Sequence, residues 1–239
     1  MPIYNIAGLN VKMDCESKLC LTRGKQYEVS DDVTPDIVIN RDEERIKRNA
    51  EQYPQMTLDE WEYMIFGSGF YNNIINFDGM MLHASAVVVD GKAYLFSAPC
   101  GTGKSTHTSL WLKLFGDQAY IINDDKPAIR MVDGEFYVYG TPFSGKHDIS
   151  RNTRVKLGGL CFISQAEENE ISVMDSKDVI VNILEQTIRR LSMENMDKML
   201  TVVDKMLSNI TVYSLKCNMD LSAAKLSYET MSGEKFDDR

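Results

Sequence analysis

The run Ala98-Pro-Cys-Gly-Thr-Gly-Lys-Ser-Thr106 sets two glycines, a lysine and hydroxyl side chains at the spacing needed to hold a chain of phosphates. Gly101 and Gly103 allow the tight backbone curve that turns successive amide N–H groups inward toward phosphate oxygens. Lys104 adds a point charge for the β- and γ-phosphates, and Ser105 offers a hydroxyl to Mg²⁺. A helix beginning at Ser105 would present its positive end to the same anion. The spacing is that of a Walker A loop except at the first position, where Ala98 stands in place of glycine. Pro99, Cys100, Gly101, Thr102, Gly103, Lys104, Ser105 and Thr106 are thus the expected nucleotide-binding set, with ATP and Mg²⁺ as the expected cofactors.

Phosphoryl transfer also needs a metal-holding acid, a group that orients or deprotonates the acceptor, and positive charge on the transferring oxygens. Tyr120-Ile-Ile-Asn-Asp124-Asp125 is an apolar strand ending in two carboxylates, about 20 residues past Lys104. A helix and a return strand can bring those acids beside the loop. One would hold Mg²⁺ and the other would take the acceptor's proton. A plain turn would favour the same Asn, Asp and Pro127. Lys146, Arg151 and Arg154 follow a second Gly/Pro-punctuated loop, Gly140–His147, and are candidates to neutralise the γ-phosphoryl group. His83 opens an apolar strand just before the loop, where a histidine is either a satisfied core residue or an orienting group for the site. His107, inside the helix after the loop, reads as structural.

The elements that must position these residues follow from periodicity and punctuation. Ile3–Ala7, Leu9–Met13 and Asp36–Asn40 are short strand candidates in a β-leaning first fifty residues. Arg41–Glu51 is charged enough to form a solvated turn or an exposed helix. Thr57–Ile75 reads as a helix opened by a Thr57/Glu60 capping box, with Gly67 and Gly69 marking a break. Asp78-Gly79, Asp90-Gly91 and Asp133-Gly134 each carry the hairpin signal, so Met80–Val89 should pair antiparallel with Ala93–Ser97, and Ala128–Val132 with Phe136–Tyr139. Ser105–Phe115 is a helix stopped at Gly116. Asp178–Leu207 holds one long helix, or two with a break near Ser192–Asn195; Ile210–Leu215 is a last strand and Ser222–Met231 a last helix.

Composition limits the partners. The 239 residues carry a formal net charge of −9, against the cationic footprint that nucleic-acid binding requires. There is no apolar run long enough to span a bilayer, and Met1–Asn10 lacks the basic and apolar regions of a signal peptide, so a cytoplasmic protein without membrane contact is expected. The five cysteines form no CxxC pair and read as free thiols, with Cys100 exposed to alkylation inside the loop. The 14 methionines fall largely on expected helices, where filling core gaps is their ordinary use.

Antiparallel hairpins leading into a phosphate loop, followed by a strand ending Asp-Asp, differ from the parallel arrangement of Ras-like proteins. They resemble the catalytic domain of HPr kinase/phosphorylase, a relative of ATP-dependent phosphoenolpyruvate carboxykinase. The matching residues are His83 in Met-Leu-His-Ala-Ser-Ala, the loop Pro-Cys-Gly-Thr-Gly-Lys-Ser-Thr, and Asn-Asp124-Asp125; Asn152-Thr-Arg154 is similar to a carboxykinase stretch whose arginine meets the γ-phosphate. The resemblance covers roughly 79–165. It implies an α/β fold with α+β leanings: a mixed sheet with antiparallel hairpins, flanked by helices. It also implies a catalytic domain over 77–239, behind an accessory β-rich and helical region over 1–76. Carried over, Lys104 and Ser105 bind phosphate and metal, Asp124 leads as base and Asp125 as metal ligand, with the reverse order open. His83 and Arg154 complete the catalytic set. The family's signature for recognising HPr is absent, and Gly140–Lys146 occupies its place. The similarity is therefore to compact HPr-kinase-related proteins. The implied activity is a Mg-ATP-dependent kinase acting on a hydroxyl, of a peptide or protein Ser/Thr or of a small alcohol. A homo-oligomer is compatible with that family. The alternative is an ATP-binding regulatory module with little or no transfer.

Overall fold

The computed structural model describes residues 1–187, 191–236, leaving 188–190 and 237–239 aside. The chain begins with β1 (Ile3–Ile6) and β2 (Leu9–Met13), joined by a turn in which Ala7 and Gly8 take positive φ. A short helix α1 (Lys18–Gly24), β3 (Glu28–Val29) and β4 (Ile37–Ile39) complete a four-stranded sheet of order β3-β1-β2-β4. The first two strands and β4 match their expected positions, but α1 was not anticipated. Its N-cap is Ser17, whose side chain accepts from the Cys20 amide. The charged run folds as helix α2 (Glu43–Gln52), with Asp42 as N-cap.

Helix α3 (Leu58–Asn73) starts at the expected capping box: Thr57 and Glu60 each accept from the other's backbone amide. No break occurs at Gly67 or Gly69. A Cβ on Gly67 would sit 3.0 Å from the Phe143 ring, and one on Gly69 3.0 Å from Ile39. The two glycines bring the helix close to its neighbours and do not interrupt it.

Among the described residues the larger sheet has nine strands. They are β5 (Gly79–Met81), β6 (Ala84–Val89), β7 (Lys92–Ser97), then, after helix α4 (Lys104–Phe115), β8 (Tyr120–Asn123), β9 (Ala128–Val132), β10 (Glu135–Tyr139), β11 (Arg154–Gln165) and β12 (Glu170–Val173). Helices α5 (Ser176–Gln186) and α6 (Met193–Leu207) precede β13 (Val212–Cys217), and α7 (Leu221–Ser232) ends the fold. Two helices therefore occupy 176–207, with Ser192 capping the second; part of the intervening stretch lies outside the described residues.

The principal path of the sheet is β5-β9-β10-β11-β7-β6-β8, and β13 pairs parallel with the far half of β11. Because β7 and β11 are parallel while the hairpins β6–β7 and β9–β10 are antiparallel, the sheet is mixed. Asp90-Gly91 and Asp133-Gly134 close hairpins as expected, each aspartate in the left-handed region. Asp78-Gly79 does not. Asp78, also left-handed, ends a 3₁₀ turn, and Gly79 lies against Ile74 and Arg130 so closely that no Cβ fits. The expected single strand Met80–Val89 is accordingly split. Its first piece pairs with β9 and its second with β7 and β8.

Three buried clusters hold the layers. One joins the small sheet, α3, Ala128, Tyr139 and Phe143. A second lies between the large sheet and α5–α6, and a third between the sheet, α4 and α7, around the fully buried Trp111. No helix of the described residues is long and apolar enough to cross a membrane.

Candidate functional site

Strand β7, a six-residue loop and α4 follow one another without interruption, which is the context a phosphate loop requires. Gly101 and Gly103 have φ of +82° and +119°, and a Cβ at either would meet nothing within 4 Å. Backbone conformation, not crowding, demands glycine there. Ala98 has no such requirement. Its φ is not positive, and its methyl group is buried in the cluster with Phe96 and Trp111. That explains how alanine is accommodated at the first loop position. Gly103 is the N-cap of α4 and no side chain caps the helix, so its first amides face the loop's concavity unclaimed by side chains.

Lys104 is buried, and its Nζ donates to the carbonyl oxygens of Ala98 at 2.8 Å and Pro99 at 3.4 Å. Burial pushes its pKa down, while the charges of Asp125, Cys100 and Asp124 act in the opposite sense. Ser105 and Thr106 stand exposed at the start of α4, as does Cys100 in the loop. All five cysteines are free.

The acidic pair sits just past β8, which is tied to the loop strand through β6. The two carboxylates have different surroundings. Asp124 is buried. Its Oδ1 accepts from Ser85 Oγ at 2.6 Å, and Ser85 in turn contacts Thr108 Oγ1 of α4 at 2.8 Å. That chain couples Asp124 to the helix that begins with Lys104 and Ser105. Asp125 is half-buried and has a partner on each oxygen: His83 Nε2 at 3.2 Å from Oδ1, and the Lys126 ammonium on Oδ2. Burial would raise its pKa, but the His83 hydrogen bond and the Lys126 charge outweigh that and hold it at about 2. The other ring nitrogen of His83, Nδ1, lies 3.1 Å from Gln186 Oε1 at the end of α5. Asn123 organises the turn, its Oδ1 accepting from the amides of Asp125 and Lys126.

His83, Lys104, Asp124 and Asp125 are therefore brought to one end of the large sheet. Arg154 is not. It opens β11 opposite Tyr139, two residues before the Lys156–Lys92 pair, whereas the loop leaves the sheet at the Ser97–Phe162 pair at the other end. Its side chain is exposed, with the guanidinium over the Tyr137 ring. Arg151 likewise lies over the Tyr120 ring. Lys146 is exposed at the tip of the second loop, next to Gly145, which packs on Asp125. His107 is buried against Phe96 and Ser227, and burial pushes its pKa down to about 4, in keeping with a structural role.

Four participants were not singled out from the sequence: Ser85, Thr108, Lys126 and Gln186. Ser85 carried a signal, because it shares the strand period of two with His83 inside an otherwise apolar segment. Gln186 comes from an element 103 residues away from His83 and left none.

A cleft of about 1000 Å³ opens between the loop at Pro99–Cys100, His83, Lys126 and helix α5. Among the described residues no group of three or more His, Cys, Asp or Glu side chains is arranged to hold a metal by itself. Mg²⁺ does not require one, since it takes one or two carboxylates together with phosphate and water oxygens. Ser105 with the acidic pair fits that sparse set.

No family model matches the sequence, and no curated protein matches it. Among solved structures, the chain is similar to the HPr(Ser) kinase/phosphatase from Coxiella burnetii, at 11% identity and a TM-score of 0.35, over 64% of this chain and 93% of that one.

Proposed function

We propose that the chain is a Mg-ATP-dependent kinase that transfers the γ-phosphate to a hydroxyl group. The observation that carries this reading is the difference between the two acids. Asp124 is bound to α4 through Ser85 and Thr108, while Asp125 is held ionised between His83 and Lys126, two side chains that line a cleft.

The glycine loop, the amino end of α4 and Lys104 bind the phosphates. Ser105 and Asp124 would hold Mg²⁺, which neutralises phosphate charge when bound. This ordering reverses the leading sequence expectation, because Asp125 already has the Lys126 ammonium on one oxygen and the His83 ring on the other, whereas among the described residues the Asp124 carboxylate meets no cation and only the Ser85 hydroxyl. Asp125 then orients the acceptor. The hydroxyl oxygen bonds to the γ-phosphorus, the bond from that phosphorus to the β–γ bridging oxygen breaks, and ADP leaves. The hydroxyl proton passes to Asp125 or to the phosphoryl product. A carboxylate with a pKa of about 2 is a weak base, which suffices where the transition state is loose and proton transfer late. His83 fixes that carboxylate, and Lys126 lies beside the position where phosphoryl charge is redistributed.

One observation favours a second reading, an ATP-binding regulatory module: both Asp125 oxygens are occupied by protein side chains, His83 and Lys126. Two measurements separate the readings, Mg-ATP titration and transfer to a panel of hydroxyl compounds. A kinase loses transfer but keeps nucleotide binding in Asp125→Asn. A regulatory module binds Mg-ATP and produces no phosphomonoester from any acceptor, in either form of the protein.

A further inference from the structure

Beside the large cleft lies a second, smaller cavity of about 150 Å³, formed between α3 and the Phe143 ring. The two share Met81 and Lys126 in their walls, so the small cavity adjoins the cleft lined by His83 and Lys126, the side chains that hold Asp125. Its other walls are the rings of Tyr63 and Tyr71 together with Met64, and the room exists because α3 presents Gly67 and Ser68 there.

The polar tips of both tyrosines are committed elsewhere. Tyr63 Oη donates to the carbonyls of Pro142 and Ser144 at 3.1 Å, and Tyr71 Oη donates to the Lys126 carbonyl and lies 2.9 Å from Thr141 Oγ1. The rings are thereby fixed, and Phe143 is locked between them and Phe70 at centroid distances of 5.6–5.9 Å. Such a cavity is preformed and offers ring faces and thioethers but no free hydrogen-bonding group from its tyrosines. Apolar cavities of about 150 Å³ accept a single benzene-sized group.

We infer that this cavity is the specificity pocket for the phosphate acceptor, and that it takes one uncharged apolar group, of branched-aliphatic or single-ring size, carried close to the accepted hydroxyl. The inference rests on the kinase reading for the hydroxyl and on the cavity alone for the apolar group. Lys126 marks the border: its amine stays with Asp125 and the phosphoryl side, while its backbone carbonyl anchors the Tyr71 wall. An acceptor seated this way has its apolar group against α3 and its hydroxyl toward Asp125. The recognition element comes from the N-terminal part of the chain and the chemistry from the large sheet.

The test uses the full chain with ¹³C-methyl-labelled methionine and benzene as the probe. Met64 and Met81 line the cavity, and their methyl signals, assigned through Met64→Leu and Met81→Leu, are expected to shift on titration. The shifts should disappear in Ser68→Leu, which fills the space from a half-exposed helix position. Unshifted Met64 and Met81 signals overturn the pocket. A second arm compares acceptors: short serine peptides with leucine or glycine beside the serine, and 3-methylbutanol against ethanol. The apolar member of the source that is used should show kcat/KM about 10–200-fold higher, and Ser68→Leu should bring the ratio toward one. Transfer with equal kcat/KM for both members overturns the pocket and leaves the kinase standing. Benzene-induced shifts without transfer to any acceptor leave an apolar cavity that takes a ring, and overturn both the kinase and the cavity's role toward an acceptor.

Discussion

The two halves of the candidate site are held in different ways. The glycine loop is local: one strand, six residues and one helix, with two glycines at positive φ and a lysine that folds back on its own loop. The acidic half is assembled from distant parts of the chain. Asp124 donates its amide to the Ile149 carbonyl, and Gly145 packs against Asp125, so the loop 140–152 sets the position of the pair. That loop is gripped by the N-terminal region. Arg23 donates to the Ser144 carbonyl and pairs with Asp148, Tyr63 donates to the Pro142 and Ser144 carbonyls, and Tyr27 contacts Ser150. The loop half should therefore respond only to changes within itself, and the acidic half also to changes far away in sequence.

The largest expected effect lies on the local side. Lys104→Ala removes the one buried cation of the loop, and Mg-ATP affinity should fall by about 100-fold or more in a fluorescent-nucleotide titration. Next, Asp125→Asn should lower transfer by about 10²–10⁴-fold with nucleotide affinity within a few-fold of the parent. Equal loss of binding and transfer would erase the distinction between the halves.

The grip by the N-terminal region gives an intermediate effect. Arg23→Ala leaves the phosphate loop untouched but frees loop 140–152. Denaturant unfolding should show a loss of about 1–3 kcal/mol, and transfer should fall more than Mg-ATP binding. Unchanged transfer would mean that the acidic pair is held without this contact.

The smallest effects are those of pH, and they differ in sign between the halves. The Asp125 pKa is depressed from 3.8 to about 2. Its hydrogen bond from His83 and its ion pair with Lys126 thus contribute stability that is fully present above the unfolded value and is lost as pH falls from about 4 through about 2. The stability difference between the parent and Asp125→Asn should be flat near neutrality and vanish in that acid window. Lys104 is shifted downward by burial, so Mg-ATP affinity should begin to decline on the alkaline side below the ordinary lysine value of 10.5.

The same contrast decides what could be read from the sequence. The loop, its glycines, the helix stopped at Gly116 and two of three Asp-Gly hairpins were legible because each is determined over a few residues. Asp78-Gly79 misled because the dipeptide reports only a left-handed turn, and this one ends a 3₁₀ segment. Arg154 joins the expected site through the likeness of Asn152-Thr-Arg154 to a carboxykinase stretch and its nearness in sequence to the second loop, but strand register sends it to the other end of β11. The partition of roles between Asp124 and Asp125 depends on Ser85, Thr108 and His83, contacts that follow from how β6 and β8 align and not from the Asp-Asp dipeptide itself.

The most direct test of the central claim is ³¹P NMR of the purified chain with Mg-ATP and the serine-peptide and alcohol acceptors. The account predicts a new phosphomonoester resonance that grows as the γ-phosphate signal decays, at a rate about 10²–10⁴-fold lower in Asp125→Asn than in the parent at saturating nucleotide. Saturated Mg-ATP binding with no phosphomonoester from any acceptor, or a signal undiminished in Asp125→Asn, would contradict it.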